Sequence, residues 1–435
     1  MKKVDFILAL ALSFGLTASS FAAQKSIEGH WEGVMVRDGA ELTVSFDFVN
    51  EAGGLKATFN SPTQRALGIP LRDVTYAAPR VQFRLVGDAT TIIFDGALTN
   101  DAISGQFREG DARGTFSLRR AEPRPPASKQ EEISFQNGGV TLSGTLLLPL
   151  KREACPAVVF LHGSGAEDRS GSRFLAEHFT RYGIAALIYD KRGVGKSAGD
   201  WKASDFSDLA GDAIAAARFL RQRKEIDPNQ IGVYGHSQGG MLAPLVASRS
   251  KDVAFVISGA GSAVPLHEAE VNSITNQVRA KGISGSELAE ASVFIKMFVN
   301  VLRTGQGWEQ FDAATEKARA TKWYPMLRVP PKDNWFWSYY RRIADYNAAD
   351  YWGKVNVPVL LIYGERDIYV PVAQSITNID RALNRAGNKD YTIIMLPRAS
   401  HAFNIEPEAG QPFEWWRLAS GFPELLTAWI NQRMK

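Results

Sequence analysis

Between about Ser26 and Arg120 apolar and polar residues alternate with a period of two, as in Glu41-Leu-Thr-Val-Ser-Phe-Asp-Phe48, Val81-Gln-Phe-Arg-Leu-Val86 and Thr91-Ile-Ile-Phe94. That rhythm predicts half-buried antiparallel strands. Similar phrases recur at Ile27-Glu-Gly-His-Trp-Glu-Gly33, Phe94-Asp-Gly-Ala-Leu98 and Ile103-Ser-Gly-Gln-Phe-Arg-Glu109. Strands with one wet face must stack or close to cover the other, so residues 26–120 read as a small all-β domain, a sandwich or a barrel. The prolines and charges of Ala121-Glu-Pro-Arg-Pro-Pro-Ala-Ser128 break the pattern and mark a linker over 121–130.

From about residue 131 the rhythm changes. Glu132-Ile-Ser-Phe135 and Val140 to Leu148 predict a hairpin turned by Asn137-Gly-Gly139. Continuous apolar runs follow at Ala157–Leu161, Ile184–Tyr189, Ile231–Tyr234, Val253–Ile257, Val357–Tyr363 and Tyr391–Met395. Helical stretches separate them near Arg173–Tyr182, Asp208–Arg223, Gln238–Ser248 and Val372–Ala386. Fully apolar strands alternating with helices predict a mainly parallel sheet covered on both faces. The connection between Ile257 and Val357 is far longer than one helix and two loops require. It is rich in helix formers and aromatic residues, among them Trp308, Trp323, Trp335, Trp337, Tyr339 and Tyr340. Residues 262–354 therefore read as a helical cap over the C-terminal edge of the sheet.

The 435 residues, 45% hydrophobic and 22% charged, allow a large core and more than one domain. A formal charge of +4 with no clustered basic tract gives no footing for nucleic acid. Lys2 and Lys3, the apolar run Phe6–Leu12 and the small residues around Ala22 read as a secretory leader over 1–22, with Ala23 as the alternative cleavage point. The apolar run is too short for a stable membrane anchor. The chain is therefore expected to be exported to a periplasm or beyond. Cys155, the only cysteine, excludes an intramolecular disulfide. Nothing in the sequence fixes an oligomeric state.

Chemistry concentrates in Ile231-Gly-Val-Tyr-Gly-His-Ser-Gln-Gly-Gly240, where G-x-S-x-G lies between a strand and a helix. Such a serine sits on a sharp turn, and Gly235 and Gly239 leave room for it. Ser237 is the candidate nucleophile, and it needs a base. Of the six histidines, His30 lies in the β-rich half, His178 in a helix, His267 in the cap, and His236 faces away from Ser237. His401, after the last predicted strand, is the base by elimination and position. A carboxylate must hold the other ring nitrogen. Asp367, in Gly364-Glu-Arg-Asp-Ile-Tyr-Val-Pro371, fits the serine, acid, histidine order better than its neighbour Glu365. Backbone N–H groups of Ser164, in His162-Gly-Ser-Gly165, and of Gln238 are the candidate oxyanion donors.

These segments, with Tyr189-Asp-Lys-Arg-Gly-Val-Gly-Lys-Ser197, resemble the α/β-hydrolase superfamily over about 131–435. They are similar to bacterial esterase D-like carboxylesterases, with kinship to serine aminopeptidases and acyl-CoA thioesterases. The resemblance implies an α/β-hydrolase fold with a cap between its sixth and seventh strands and a Ser237-His401-Asp367 triad. It implies a small-molecule ester as substrate and neither metal nor organic cofactor. Gly193-Val-Gly-Lys-Ser197 imitates the end of a phosphate-binding loop, but Asp190 stands where that motif needs glycine. In the family this segment is a structural turn, whose Asp190 and Arg192 are expected to brace the floor of the site.

The expected activity is cleavage of esters with small or medium acyl chains. A peptidase is the nearest alternative and needs an acid near the cap, for which Glu268, Glu270 and Asp333 are candidates; a thioesterase is another. A non-catalytic binding protein, with the β-rich domain as its working part, is the alternative of a different class.

Overall fold

The computed structural model describes residues 26–87, 90–123, 125–126, 128–150, 154–408 and 410–434; the leader expected over 1–22 lies outside them. The first unit is a single antiparallel sheet. Its strands are β1 (Gly29–Arg37), β2 (Ala40–Glu51), β3 (Gly54–Ser61), β4 (Ala66–Pro70), β5 (Arg72–Ala77), β6 (Arg80–Val86), β7 (Thr91–Thr99), β8 (Ala102–Glu109) and β9 (Ala112–Ala121). Order in the sheet is β4-β3-β2-β1-β9-β8-β7-β6-β5. The two end strands are halves of one run broken only at Leu71, whose N–H donates to the Ala57 carbonyl on β3 at 2.9 Å. The ends of the sheet therefore meet, and the choice between sandwich and barrel falls to the barrel. Alternate residues point inward, and Trp31, Phe46, Phe59, Phe83, Phe94, Phe107 and Phe116 fill the interior.

The second unit is an eight-stranded sheet, built from β10 (Ser128–Asn137), β11 (Val140–Pro149), β12 (Cys155–Leu161), β13 (Ala185–Tyr189), β14 (Ile226–His236), β15 (Phe255–Gly259), β16 (Val359–Gly364) and β17 (Tyr391–Leu396). Its order is β10-β11-β13-β12-β14-β15-β16-β17; the β10–β11 and β11–β13 pairings are antiparallel and all the others parallel. Strands β12, β13, β15 and β16 are buried at every position because helices cover both faces. Helices α1 (Arg173–Arg181), α2 (Phe206–Arg221) and α3 (Gln238–Arg249) precede a helical insertion of α4 (Leu266–Ala280), α5 (Gly285–Thr304), α6 (Trp308–Ala318), α7 (Phe336–Ile343) and α8 (Ala349–Trp352). Between β16 and β17 lies α9 (Val372–Arg385), and α10 (Phe422–Arg433) closes the chain. The insertion has its own apolar core around Phe294, Phe298, Phe311 and Trp337.

The units meet along the chain that follows His401. Two short strands, β18 (Asn404–Ile405) and β19 (Arg417–Leu418), pair there. Between them, Trp415 donates its indole N–H to the Ala40 carbonyl at 3.1 Å and packs against Phe107, while Arg37 lies over Phe413 at 4.1 Å.

Candidate active site

Ser237 joins the last residue of β14 to the first of α3, with φ 56° and ψ −117°. A serine in that region is strained by about 1–3 kcal/mol. Bonds on both sides hold it: Ser237 N–H donates to the Gly259 carbonyl at 2.8 Å, and its own carbonyl accepts from Met241 N–H at 3.0 Å. The turn is so tight that a Cβ on Gly235 would lie 2.2 Å from the Gly239 carbonyl, and one on Gly239 2.7 Å from the Leu161 carbonyl.

The structure brings together all five residues that the sequence singles out. His401 Nε2 lies 2.9 Å from Ser237 Oγ, and its Nδ1 2.8 Å from Asp367 Oδ2. The Asp367 side chain is fully buried; its other oxygen accepts from the N–H groups of Tyr369 and Val370 at 2.8 and 3.1 Å. Those bonds keep the carboxylate aimed at the imidazole. Glu365, the rival acid, instead accepts from Arg398 N–H at 2.7 Å. Ser164 and Gln238 line the same cavity as Ser237 and His401. Gln238 N–H, at the start of α3, has no acceptor within the helix. Asp190 and Arg192, expected to brace the floor of the site, do not themselves line this cavity. Asp190 pairs with Arg169 at 2.8 Å and Arg192 with Asp212 at 2.6 Å, so both tie the Asp190–Ser197 segment to its neighbours.

The cavity measures about 590 Å³. One wall is the Gly163–Gly165 loop with Ser237 and His401; the other comes from the insertion, including Glu270, Trp335, Tyr339 and Tyr340. The Gln238 side chain spans them, donating to the Gly163 carbonyl at 3.1 Å and accepting from Tyr339 Oη at 3.4 Å. Of the three acids considered in the insertion, Glu268 and Asp333 are exposed to solvent and only Glu270 lines the cavity. Burial pushes its carboxyl up to about 7. Burial also raises the Tyr340 hydroxyl, and the Glu270 charge adds to that effect.

His236 lines the same cavity and has a role that its position in the sequence did not reveal. Its Nε2 lies 2.7 Å from the His401 carbonyl, and its ring packs on Phe403. Burial, reinforced by His401, pushes its pKa down to about 3, so it is neutral and able to donate that bond. It anchors the backbone from which the His401 ring projects.

Strand order, the strained turn at Ser237 and the loops that carry Asp367 and His401 define an α/β-hydrolase fold. Residues 152–408, more than half of the chain, match the serine aminopeptidase S33 family, and the chain belongs to that family. Esterase EstD of Thermotoga maritima is 26% identical over 280 residues, 60% of this chain and 60% of EstD. The quorum-quenching protein AidA of Acinetobacter baumannii is 32% identical over 128 residues, 29% of this chain and 42% of AidA. The chain thus spans less than two thirds of either relative. An esterase structure from Pyrococcus furiosus superposes with a TM-score of 0.46 at 18% identity, over 72% of this chain and 93% of that one.

Proposed function

We propose that this protein is a serine esterase that cleaves small or medium carboxylic esters through an acyl-enzyme on Ser237. Ser237 Oγ attacks the ester carbonyl carbon while His401 Nε2 takes its proton, and Asp367 stabilises the resulting imidazolium. The tetrahedral oxyanion accepts from the N–H groups of Ser164 and Gln238. Collapse breaks the bond to the alcohol oxygen, which leaves with the proton from His401. Water then repeats the cycle on the acyl-enzyme and releases the acid. The observation that carries this reading is His401, within hydrogen-bond reach of Ser237 on one nitrogen and of Asp367 on the other.

The helical insertion acts as a cap that excludes water from the acyl-enzyme and sets the acyl length; its aromatic wall across the cavity from Ser237 supports this. Export places the activity outside the cytoplasm, which the leader at residues 1–22 supports. A panel of p-nitrophenyl esters from acetate to dodecanoate, with acyl thioesters and aminoacyl anilides alongside, tests the substrate class. Fastest turnover of short or medium esters is expected, and a clear preference for either other class would overturn it.

Glu270 favours one second reading, a peptidase acting on aminoacyl substrates. The carboxylate lines the cavity without a hydrogen-bond or ion-pair partner among the described residues, beside Tyr340 and near Trp335. Carboxylate and aromatic faces together suit a substrate ammonium. On that reading aminoacyl anilides outrun neutral esters and Glu270→Gln abolishes the preference.

A further inference from the structure

Lys191 is 1% exposed and among the largest fully buried side chains of the protein. Its sequence neighbours Asp190 and Arg192 each meet an opposite charge, whereas Lys191 forms no close ion pair among the described residues. Its Nζ donates to two backbone carbonyls, Gly163 at 2.6 Å and Gly165 at 2.8 Å, and stands 5.4 Å from the Trp201 ring centre. Burying an ammonium is costly, and a fold that needed only filler here would be served better by an apolar chain of the same length.

The two acceptors belong to the loop that carries the candidate oxyanion donor. In a planar trans peptide the carbonyl of one residue and the N–H of the next point in opposite directions. Drawing the Gly163 carbonyl toward Lys191 therefore turns Ser164 N–H the other way. Lys191 is absent from the lining of the active-site cavity, whereas Gly163, Ser164 and Gly165 all line it. The lysine thus grips the loop from outside the cavity lining, on the side of the peptide opposite to Ser164 N–H. Two further bonds hold the loop: the Gly163 carbonyl also accepts from the Gln238 side chain at 3.1 Å, and on the preceding peptide Gly163 N–H donates to Glu167 at 2.6 Å.

We propose that Lys191 is a positioning residue for acyl transfer at Ser237, clamping the donor loop from behind so that Ser164 N–H meets the oxyanion and adding its charge to the field there. The proposal rests on the serine-hydrolase reading above.

Burial holds the Lys191 ammonium down to about 8, and the Glu167 charge opposes that effect. Other groups around it are His162, which burial and then Lys191 push down to about 4 and so keep neutral, and the paired Asp190–Arg169 and Arg192–Asp212. Lys191 is therefore a cation below about pH 8 and a neutral amine above it. The amine keeps enough hydrogens for both carbonyls but loses its charge, so kcat falls, without vanishing, as pH rises through about 8. Stability moves the other way. The folded pKa lies below the unfolded value, so the unfolded chain binds the extra proton between about 8 and 10.5 and the Lys191 contribution to stability rises there. Unfolding at this group cannot produce the alkaline loss.

The test compares wild type, Lys191→Met and Ser237→Ala on p-nitrophenyl acetate from pH 6 to 10, with thermal melts. Lys191→Met is expected to lower kcat by about 10²-fold, the usual cost of losing an oxyanion contact, with KM nearly unchanged, the alkaline limb gone and the melting temperature preserved. A Lys191→Met enzyme with wild-type kcat, or one that keeps the limb near pH 8, would overturn the proposal. Should that variant not fold, the wild-type profile decides, and a flat kcat between pH 7 and 9 counts against Lys191. Ser237→Ala separates the two ideas: if it stays active the serine reading fails, and if it is dead while Lys191→Met is fully active only the Lys191 inference fails.

Discussion

In the barrel, Phe83 and Phe94 stack with ring centres 4.7 Å apart, and Phe46, Phe107 and Phe116 close around them. In the helical insertion Trp335 and Tyr339 also pack together, at 5.8 Å, yet both turn a side to a cavity of about 590 Å³. The barrel satisfies its aromatic residues with one another. The insertion leaves part of its aromatic surface facing Ser237, with one carboxylate among the rings. Aromatic content alone therefore does not mark a site; what marks it is aromatic surface left uncovered opposite oriented polar groups.

The sharpest way to break this contrast is on the polar side of the cavity. Asp367→Asn keeps the shape but holds His401 in the wrong tautomer, and kcat for a p-nitrophenyl ester is expected to fall by about 10⁴-fold at unchanged melting temperature. On the aromatic side, Phe94→Ala in the barrel is expected to cost about 3–5 kcal/mol in denaturant unfolding, while kcat of the molecules that remain folded stays near wild type. A large drop in kcat there would mean that the barrel shapes the site. Glu270→Gln removes a carboxylate whose pKa is raised in the folded state. Such a group loses stability as pH rises from its unfolded value through about 7, so the variant is expected to melt a few degrees higher than wild type at pH 8 and equally at pH 4. Trp415→Ala, at the junction of the units, should change least. A modest loss of stability with kcat within about twofold is expected, because interface truncations seldom exceed a few kcal/mol.

Ser237, Asp367 and His401 were legible because each sits at a strand end inside a local motif. The place of the Gly163–Gly165 loop on the cavity wall was legible for the same reason. Barrel closure was not, since it depends on the Leu71 N–H meeting Ala57 across the ends of the sheet, a pairing that alternation cannot encode. Strand β14 begins at Ile226, five residues before its apolar run, because Pro228, Asn229 and Gln230 hide the start. The contacts of His236 and Lys191 were not legible, for a common reason. Their partners are backbone carbonyls, at His401 and at Gly163 and Gly165, and a carbonyl leaves no trace in residue identity. Glu270 was one of three acids in the insertion until packing placed it, alone of the three, on the cavity wall.

The central claim is that Ser237 carries the acyl group. Incubating the protein with a fluorophosphonate and mapping the adduct by peptide mass spectrometry tests it most directly. A single phosphonylated residue, Ser237, is expected, formed in step with loss of ester turnover, with neither labelling nor turnover in Ser237→Ala. An adduct on another residue, or a Ser237→Ala protein that still turns over esters, would contradict it.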